Sequence, residues 1–415
     1  MRLALFVCVG VLGASPCTGQ PSPQGPPSPQ RLTEREAVAR FADADPRIRA
    51  LNARIDEVRA AQAERTLWPN PSATYSRESV VGAHDTFLLA RQELPISGRR
   101  GRLQQAGRLA VDAARADAQL QRGELQADLR DAYTALTLAQ EREAALRGSI
   151  EALHTLVVAL RAREEGGEGS TYDRMRGERA LVDLQADSAA AEADRAQAQG
   201  RLAGYLGPGA APDALVAADS MMTAAAEAPL PALIEQALAR RGDYRAATIS
   251  IARFEAERSA AARLLVPTPS VGGGLKRSDF SGATSSGYQF SFDVAVPLFN
   301  RGQAAGALAT AQKSRAEAEA ESWRLQIESE VRAAYSVVQI HRERAARYQE
   351  GVAAIAEPLA KTGRVGYEEG ELTILELLDA DRQALDARLR LLELTAAARR
   401  AAIELDRVIG QELKP

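Results

Sequence analysis

Residues 92–101 read QELPISGRRG, and residues 295–302 read AVPLFNRG. Each stretch runs from an apolar residue through Pro, a second apolar residue and a turn residue to Arg: Pro95 leads to Arg99, and Pro297 to Arg301. Proline cannot donate to a β ladder and marks a strand boundary, while Ser97, Gly98 and Asn300 are residues that turn the chain or cap a helix. The stretch therefore reads as a joint between a strand and a helix, written twice.

Other pairs recur at the same interval of about 200 residues, which makes the match a duplication and not a coincidence. Trp68 to Ser72 (WPNPS) returns as Val266 to Ser270 (VPTPS), and Leu129 to Tyr133 (LRDAY) as Val331 to Tyr335 (VRAAY). The expected organisation is a first repeat over 32–207, a linker over 208–229, a second repeat over 230–410 and a tail over 411–415. Each repeat carries a β-hairpin, near 71–95 and near 269–297.

Upstream, Met1-Arg2 and the apolar run from Leu3 to Leu12 read as a secretory leader, expected over 1–19, too short to cross a bilayer as a helix. Cys8 and Cys17 fall in or beside it, so the folded body has no cysteine for a disulfide. The stretch QPSPQGPPSPQ makes 20–31 a Pro-rich extended tether. A formal net charge of −3 and a charged fraction of 26% with only 5% aromatics give the profile of long surface helices, with no basic excess that would point to nucleic acid.

Between Gly98 and Arg163 no proline interrupts the chain, and apolar residues fall in two interleaved heptad series. One is Leu125, Ala132, Ala139, Leu146, Leu153 and Leu160; the other is Leu129, Leu136, Glu143, Ile150 and Val157, broken only by Glu143. The second repeat carries both in phase, as Ile327, Ala334, His341, Tyr348, Ile355 and as Val331, Val338, Ala345, Val352, Leu359. A helix of about 65 residues would be roughly 100 Å long, more than a compact domain needs. Gly-containing breaks at Glu164–Ser170 and Gly366–Gly370 then send a second helix back.

Between the helices the pattern changes to β alternation. Tyr288, Phe290, Phe292, Val294 and Val296 share one face, and Gln289, Ser291, Asp293 and Ala295 the other. Strands of seven to ten residues are expected around polar loops at Glu78–Asp85 and Asp279–Gly287. Four strands with open edges cannot sit in lipid, because unpaired backbone groups there cost several kcal/mol each. A closed membrane barrel needs about eight strands, so the chain must associate, and three copies supply twelve. A periplasmic coiled-coil scaffold or adaptor is the competing reading of the heptads.

The whole mature chain resembles the TolC-like outer membrane factors, the exit ducts of bacterial tripartite efflux and type I secretion. The strongest local match is GELTILELLDA at Gly370–Ala380, and the joint stretches are similar to those of the CzcC-like heavy-metal branch. The resemblance implies a fold that is mainly α with membrane β-strands: a duplicated helix, β-hairpin, long helix and helix unit. It also implies a homotrimer whose twelve-stranded outer-membrane β-barrel continues into a periplasmic α-helical barrel. The implied partners are a periplasmic adaptor (membrane fusion) protein, an inner-membrane RND-type or other efflux pump, and outer membrane lipid.

The resemblance also assigns residues. Glu376, Asp379 and Asp173 would line the periplasmic aperture, and Tyr367 would belong to the latch that closes it. Leu372 stands where the family has a latch arginine. The residues themselves suggest the rest: Pro95, Pro297, Arg99, Arg100 and Arg301 mark the joint between barrel and tunnel, and the alternation turns Tyr288, Phe290, Phe292, Val294 and Val296 toward lipid. No nucleophile elbow, phosphate loop, H-E-x-x-H or CxxC is present, so catalysis is not expected. His84, His154 and His341 lie far apart in the sequence, so no metal site or other cofactor is expected, and a metal would be cargo.

Overall fold

The computed structural model describes residues 29–221 and 228–413. The leader, most of the tether and six residues of the linker lie outside them. The chain begins with β1 (Gln30–Leu32), α1 (Glu34–Ala44) and α2 (Pro46–Glu64). Thr33 and Glu36 close a reciprocal capping box at the start of α1. Asp45 ends α1 and caps α2, whose first residue, Pro46, needs no hydrogen-bond donor there.

The first hairpin is β2 (Ser72–Val80) with β3 (Ala83–Glu93), followed by α3 (Arg99–Glu165) and the returning α4 (Thr171–Leu206). Its 67 residues make α3 about 100 Å long at 1.5 Å per residue. Next comes β4 (Leu215–Ala217), which pairs in parallel with β1. The second half repeats the order with α5 (Leu230–Arg240), α6 (Gly242–Ala262), β5 (Pro269–Phe280), β6 (Ala283–Val294), α7 (Gln303–Tyr348), α8 (Ala354–Glu368) and α9 (Ile374–Val408).

The duplicated heptads pack as duplicated cores. Leu129, Ala132, Tyr133 and Leu136 of α3 are buried with Val38, Phe41, Leu202 and Leu206. In α7 the equivalent Val331, Ala334 and Val338, together with Ile327, are buried with Leu233, Leu405 and Val408. Glu143, the break in the first series, is buried too, and its carboxylate takes Arg147 from the same helix and Arg195 from α4. A paired buried charge is tolerated where a lone one would not be.

Nearby, Arg130 of α3 meets Glu34 at 2.9 Å and Asp406 at 2.8 Å, and Arg399 holds the other oxygen of Glu34 at 3.0 Å. This half-buried ion-pair network ties α1, α3 and α9 together. The Tyr133 hydroxyl donates to the Leu32 carbonyl at 2.9 Å and fixes β1 beneath it.

The two halves differ in their second long helix. After Tyr348 one turn widens to a π-helix over Gln349–Ala353, and Pro358 sits inside α8. Proline removes a backbone donor and crowds the preceding turn, and the wide turn takes up the misfit. The heptad positions below this point therefore leave the core: Val352, Ile355 and Leu359 are exposed, where the periodicity predicts burial.

The hairpins differ from expectation as well. The polar segments expected as loops continue as strand, with Val80 paired to Ala83 and Phe280 to Ala283. The turns are only Val81-Gly82 and Ser281-Gly282. Gly82 (φ 78°), Ser281 (φ 50°) and Gly282 (φ 88°) take the left-handed conformations that such two-residue turns require. Serine and threonine, read as loop formers, sit there on a wet strand surface. Val296 falls beyond the end of β6 at Val294, so the alternation overran the strand.

Candidate functional site

The four long strands form one antiparallel sheet in the order β2-β3-β5-β6. Cross-strand partners share a face, so the register sorts every side chain. One face carries the rows Tyr75, Leu88, Leu275, Tyr288 and Ala73, Ala90, Gly273, Phe290, with Val271 beside Phe292. It is apolar and open: Tyr288 is 82% exposed and Phe290 85% exposed.

The opposite face is charged. Arg91 pairs with Asp293 at 3.3 Å across Gly272, and Lys276 with Asp85 at 2.7 Å. The Lys276 ammonium also stands 5.0 Å from the centre of the Phe87 ring. Gly274 keeps this face open, since a side chain there would meet the Leu88 carbonyl oxygen at 2.0 Å. Of these four, Asp293 was expected on the polar face and Asp85 at the end of a loop, while Arg91 and Lys276 were not singled out; all four fall on the polar parity of their strands.

At the joints, Gly98 and Gly302 are the N-caps of α3 and α7, with left-handed φ of 73° and 85°. Ser97 and Asn300, expected as caps, act one step earlier: Ser97 Oγ accepts from Arg99 N and Asn300 Oδ1 from Gly302 N. Pro95 and Pro297 lie just past the ends of β3 and β6. Arg100 reaches back to the Thr66 carbonyl and lies over the Trp68 ring. Arg301 bonds the Leu298 carbonyl at 3.2 Å, and Arg99 is exposed.

At the far ends of the helices the two hairpin tips meet. Leu160 of α3 is buried against Ile374 and Leu377 of α9, with Tyr367 of α8 at the edge. The Arg163 guanidinium lies 6.0 Å from the Tyr367 ring centre. Burial raises the Tyr367 hydroxyl pKa, Arg163 opposes that rise, and Asp173 of α4 adds to it, which places all three in one electrostatic group. The cation at this point is thus Arg163 from the other hairpin. Leu372 instead packs beneath Gly366, within 3.0 Å of where a side chain would begin.

Within tip one, Glu164 takes Arg174, and Glu178 takes Arg161 and Arg174 at 2.7 Å. Within tip two, Arg364 holds Asp381 at 2.9 Å. Glu376 and Asp379 are exposed on the first turns of α9. Glu376 completes a capping box: its carboxylate accepts from Thr373 N at 2.7 Å and Oγ1 at 2.8 Å. Those backbone and side-chain bonds hold its pKa below the usual carboxylate value. Asp379 accepts from Gln383 at 2.6 Å. Among the described residues no three His, Cys, Asp or Glu side chains converge on a point that could hold a metal, and no helix is long and apolar enough to cross a membrane.

A strand sheet with one apolar and one charged face is joined through two Gly-capped turns to α3, about 100 Å long, and to α7, about 70 Å long before its wide turn. The sequence profile of the outer membrane efflux protein family matches residues 233–411. The chain is 24% identical over 385 residues to the cobalt-zinc-cadmium resistance protein CzcC of Cupriavidus metallidurans, covering 92% of this chain and 90% of that one. Solved channels share the fold. CusC matches at a TM-score of 0.72 with 18% identity, covering 91% of this chain and 92% of its own. The open state of MtrE from Neisseria gonorrhoeae matches at 0.72 and 18%, covering 92% and 89%. OprN matches at 0.68 and 24%, covering 92% and 91%. The chain therefore shares the fold of solved outer-membrane channels and is similar along most of its length to CzcC.

Proposed function

We propose that three copies close the sheet into a twelve-stranded barrel, apolar face to lipid and charged face to the lumen, and that the duct exports divalent metal cations handed on by a periplasmic adaptor and an inner-membrane pump. The open edges of β2 and β6 support closure between chains, because an open sheet has no stable place in a bilayer. The exposed Val337, Ile340, Val352, Ile355 and Leu359 of the second long helix offer an apolar seam for a neighbouring copy. Glu376, Asp379 and Asp173 lie at the tip, and threefold symmetry would repeat each around one aperture, with Tyr367 and Arg163 closing it from the side.

The observation that carries the cargo is the similarity to a cobalt-zinc-cadmium resistance protein along nearly the whole chain. Deleting the gene and measuring tolerance tests it. Sensitivity to zinc, cobalt and cadmium with unchanged tolerance to dyes and detergents is the expected result. Sensitivity only to the organic compounds refutes the metal reading.

A further inference from the structure

We propose that Arg77 and Arg277 form an outward-facing cationic rim at the outer end of the barrel that binds the phosphate of anionic lipid headgroups. The proposal rests on the reading of the apolar face as the lipid face. Both arginines belong to that face: Arg77 pairs with Thr86, Thr86 with Arg277, and Arg277 with Ser286, in one row across all four strands. The adjacent row toward the helices is Tyr75, Leu88, Leu275, Tyr288. The adjacent row toward the turns is Ser79, His84, Asp279, Thr284. The outward face therefore changes from apolar to polar within two pleats, and the arginines stand at the change. Tyrosines just inside such a boundary are where amphipathic rings settle at headgroup level.

The two arginines are not equivalent in their pairing. Arg277 is 3.6 Å from Asp279, whose carboxylate also takes the Thr284 hydroxyl. Arg77 is exposed and, among the described residues, makes no ion pair or side-chain hydrogen bond. Its neighbour Glu78 shares a row with Asp85 and so faces the other way. His84 is occupied by Ser79 at 2.7 Å. In the order β2-β3-β5-β6 the arginines sit on the first and third strands, so three copies would place one on every second strand, about 10 Å apart around the whole circumference. A guanidinium fork matches phosphate oxygens in a bidentate geometry. The helices leave the sheet at the opposite end, toward the periplasm, so the rim lies in the outer leaflet.

The test is lipid retained by protein extracted from outer membranes in mild detergent, as phosphorylated lipid per chain by mass spectrometry. Wild-type protein should hold phosphorylated lipid, Arg77→Ser/Arg277→Ser should hold several-fold less, and Arg91→Ser on the charged face should match wild type. Delipidated protein should rebind intact lipopolysaccharide in preference to its dephosphorylated form. Rebinding of phosphatidylglycerol equal to that of lipopolysaccharide would assign the rim to phosphate in general; preference for lipopolysaccharide would assign it to that lipid. Either supports the proposal. Equal retention by the double variant, or equal rebinding of dephosphorylated lipid, overturns it. If the double variant does not assemble, Arg77→Ser alone removes only the unpaired cation and must show the loss. Assembly unaffected by Phe292→Arg would instead overturn the lipid-face reading itself.

Discussion

Replacing Phe292 with Arg measures how the sheet sits in the membrane. Phe292 is paired with Val271 on the apolar face, three rows from the Arg77 and Arg277 row. With strands tilted about 40°, each row advances about 5 Å along the membrane normal, so Phe292 lies about 15 Å inside that rim. The apolar band of such a barrel is about 25 Å tall, which puts Phe292 within a few ångströms of its midplane. Arginine there costs about 2 to 4 kcal/mol per chain, and a threefold assembly carries the penalty three times. That corresponds to several decades in the assembly equilibrium. The assay is recovery of heat-modifiable oligomer from washed outer membranes. Gln289→Arg, whose partner Gly274 lies on the charged face, is the control and should assemble normally. If Gln289→Arg blocks assembly and Phe292→Arg does not, the two faces have been assigned backwards.

Three further outcomes are expected. Gly242 opens α6 against α3, and an added Cβ would stand 2.1 Å from the Ala116 carbonyl oxygen. Gly242→Ala should therefore cost about 1 to 3 kcal/mol or more by overpacking, and an unshifted thermal transition in detergent would contradict that packing. In planar bilayers Glu376→Gln/Asp379→Asn should lose cation preference and block by multivalent cations, as expected when a ring of acidic groups is removed; unchanged selectivity would make both residues ordinary helix surface. The Glu412 carboxyl has one buried oxygen without a hydrogen-bond partner among the described residues, and burial raises its pKa above the ordinary 4.5. Because the folded value is the higher one, stability should fall as pH rises through the interval between them. Glu412→Gln should flatten that dependence, and an identical pH profile of thermal stability would refute it.

Heptad phase carried much of the fold because it reports burial directly: Leu129 and Val331, in equivalent positions, are both fully buried. It failed below Tyr348, where Pro358 and the wide turn rotate the apolar stripe out of the core, an effect of backbone geometry that side-chain periodicity does not carry. Turn length was hidden for a related reason. Ser-rich strand facing water has the composition of a loop, and only Gly82 and the Ser281-Gly282 pair signal a two-residue reversal. At the tip, Glu376 and Asp379 were legible from their local motif. Arg163 was not, because it meets Tyr367 across two hairpins far apart in the sequence. The Arg91–Asp293 and Lys276–Asp85 pairs were hidden by distance in the same way, since each joins strands from different repeats.

The unpaired edges of β2 and β6 have a genetic consequence. If closure requires three chains, a defective copy with intact edges is recruited as readily as a sound one and takes its partners out of service. A cell making both in equal amounts would retain only about one assembly in eight composed wholly of sound chains. Lesions at the helical tips should therefore behave as dominant in merodiploid strains, and lesions that destroy a strand edge as recessive.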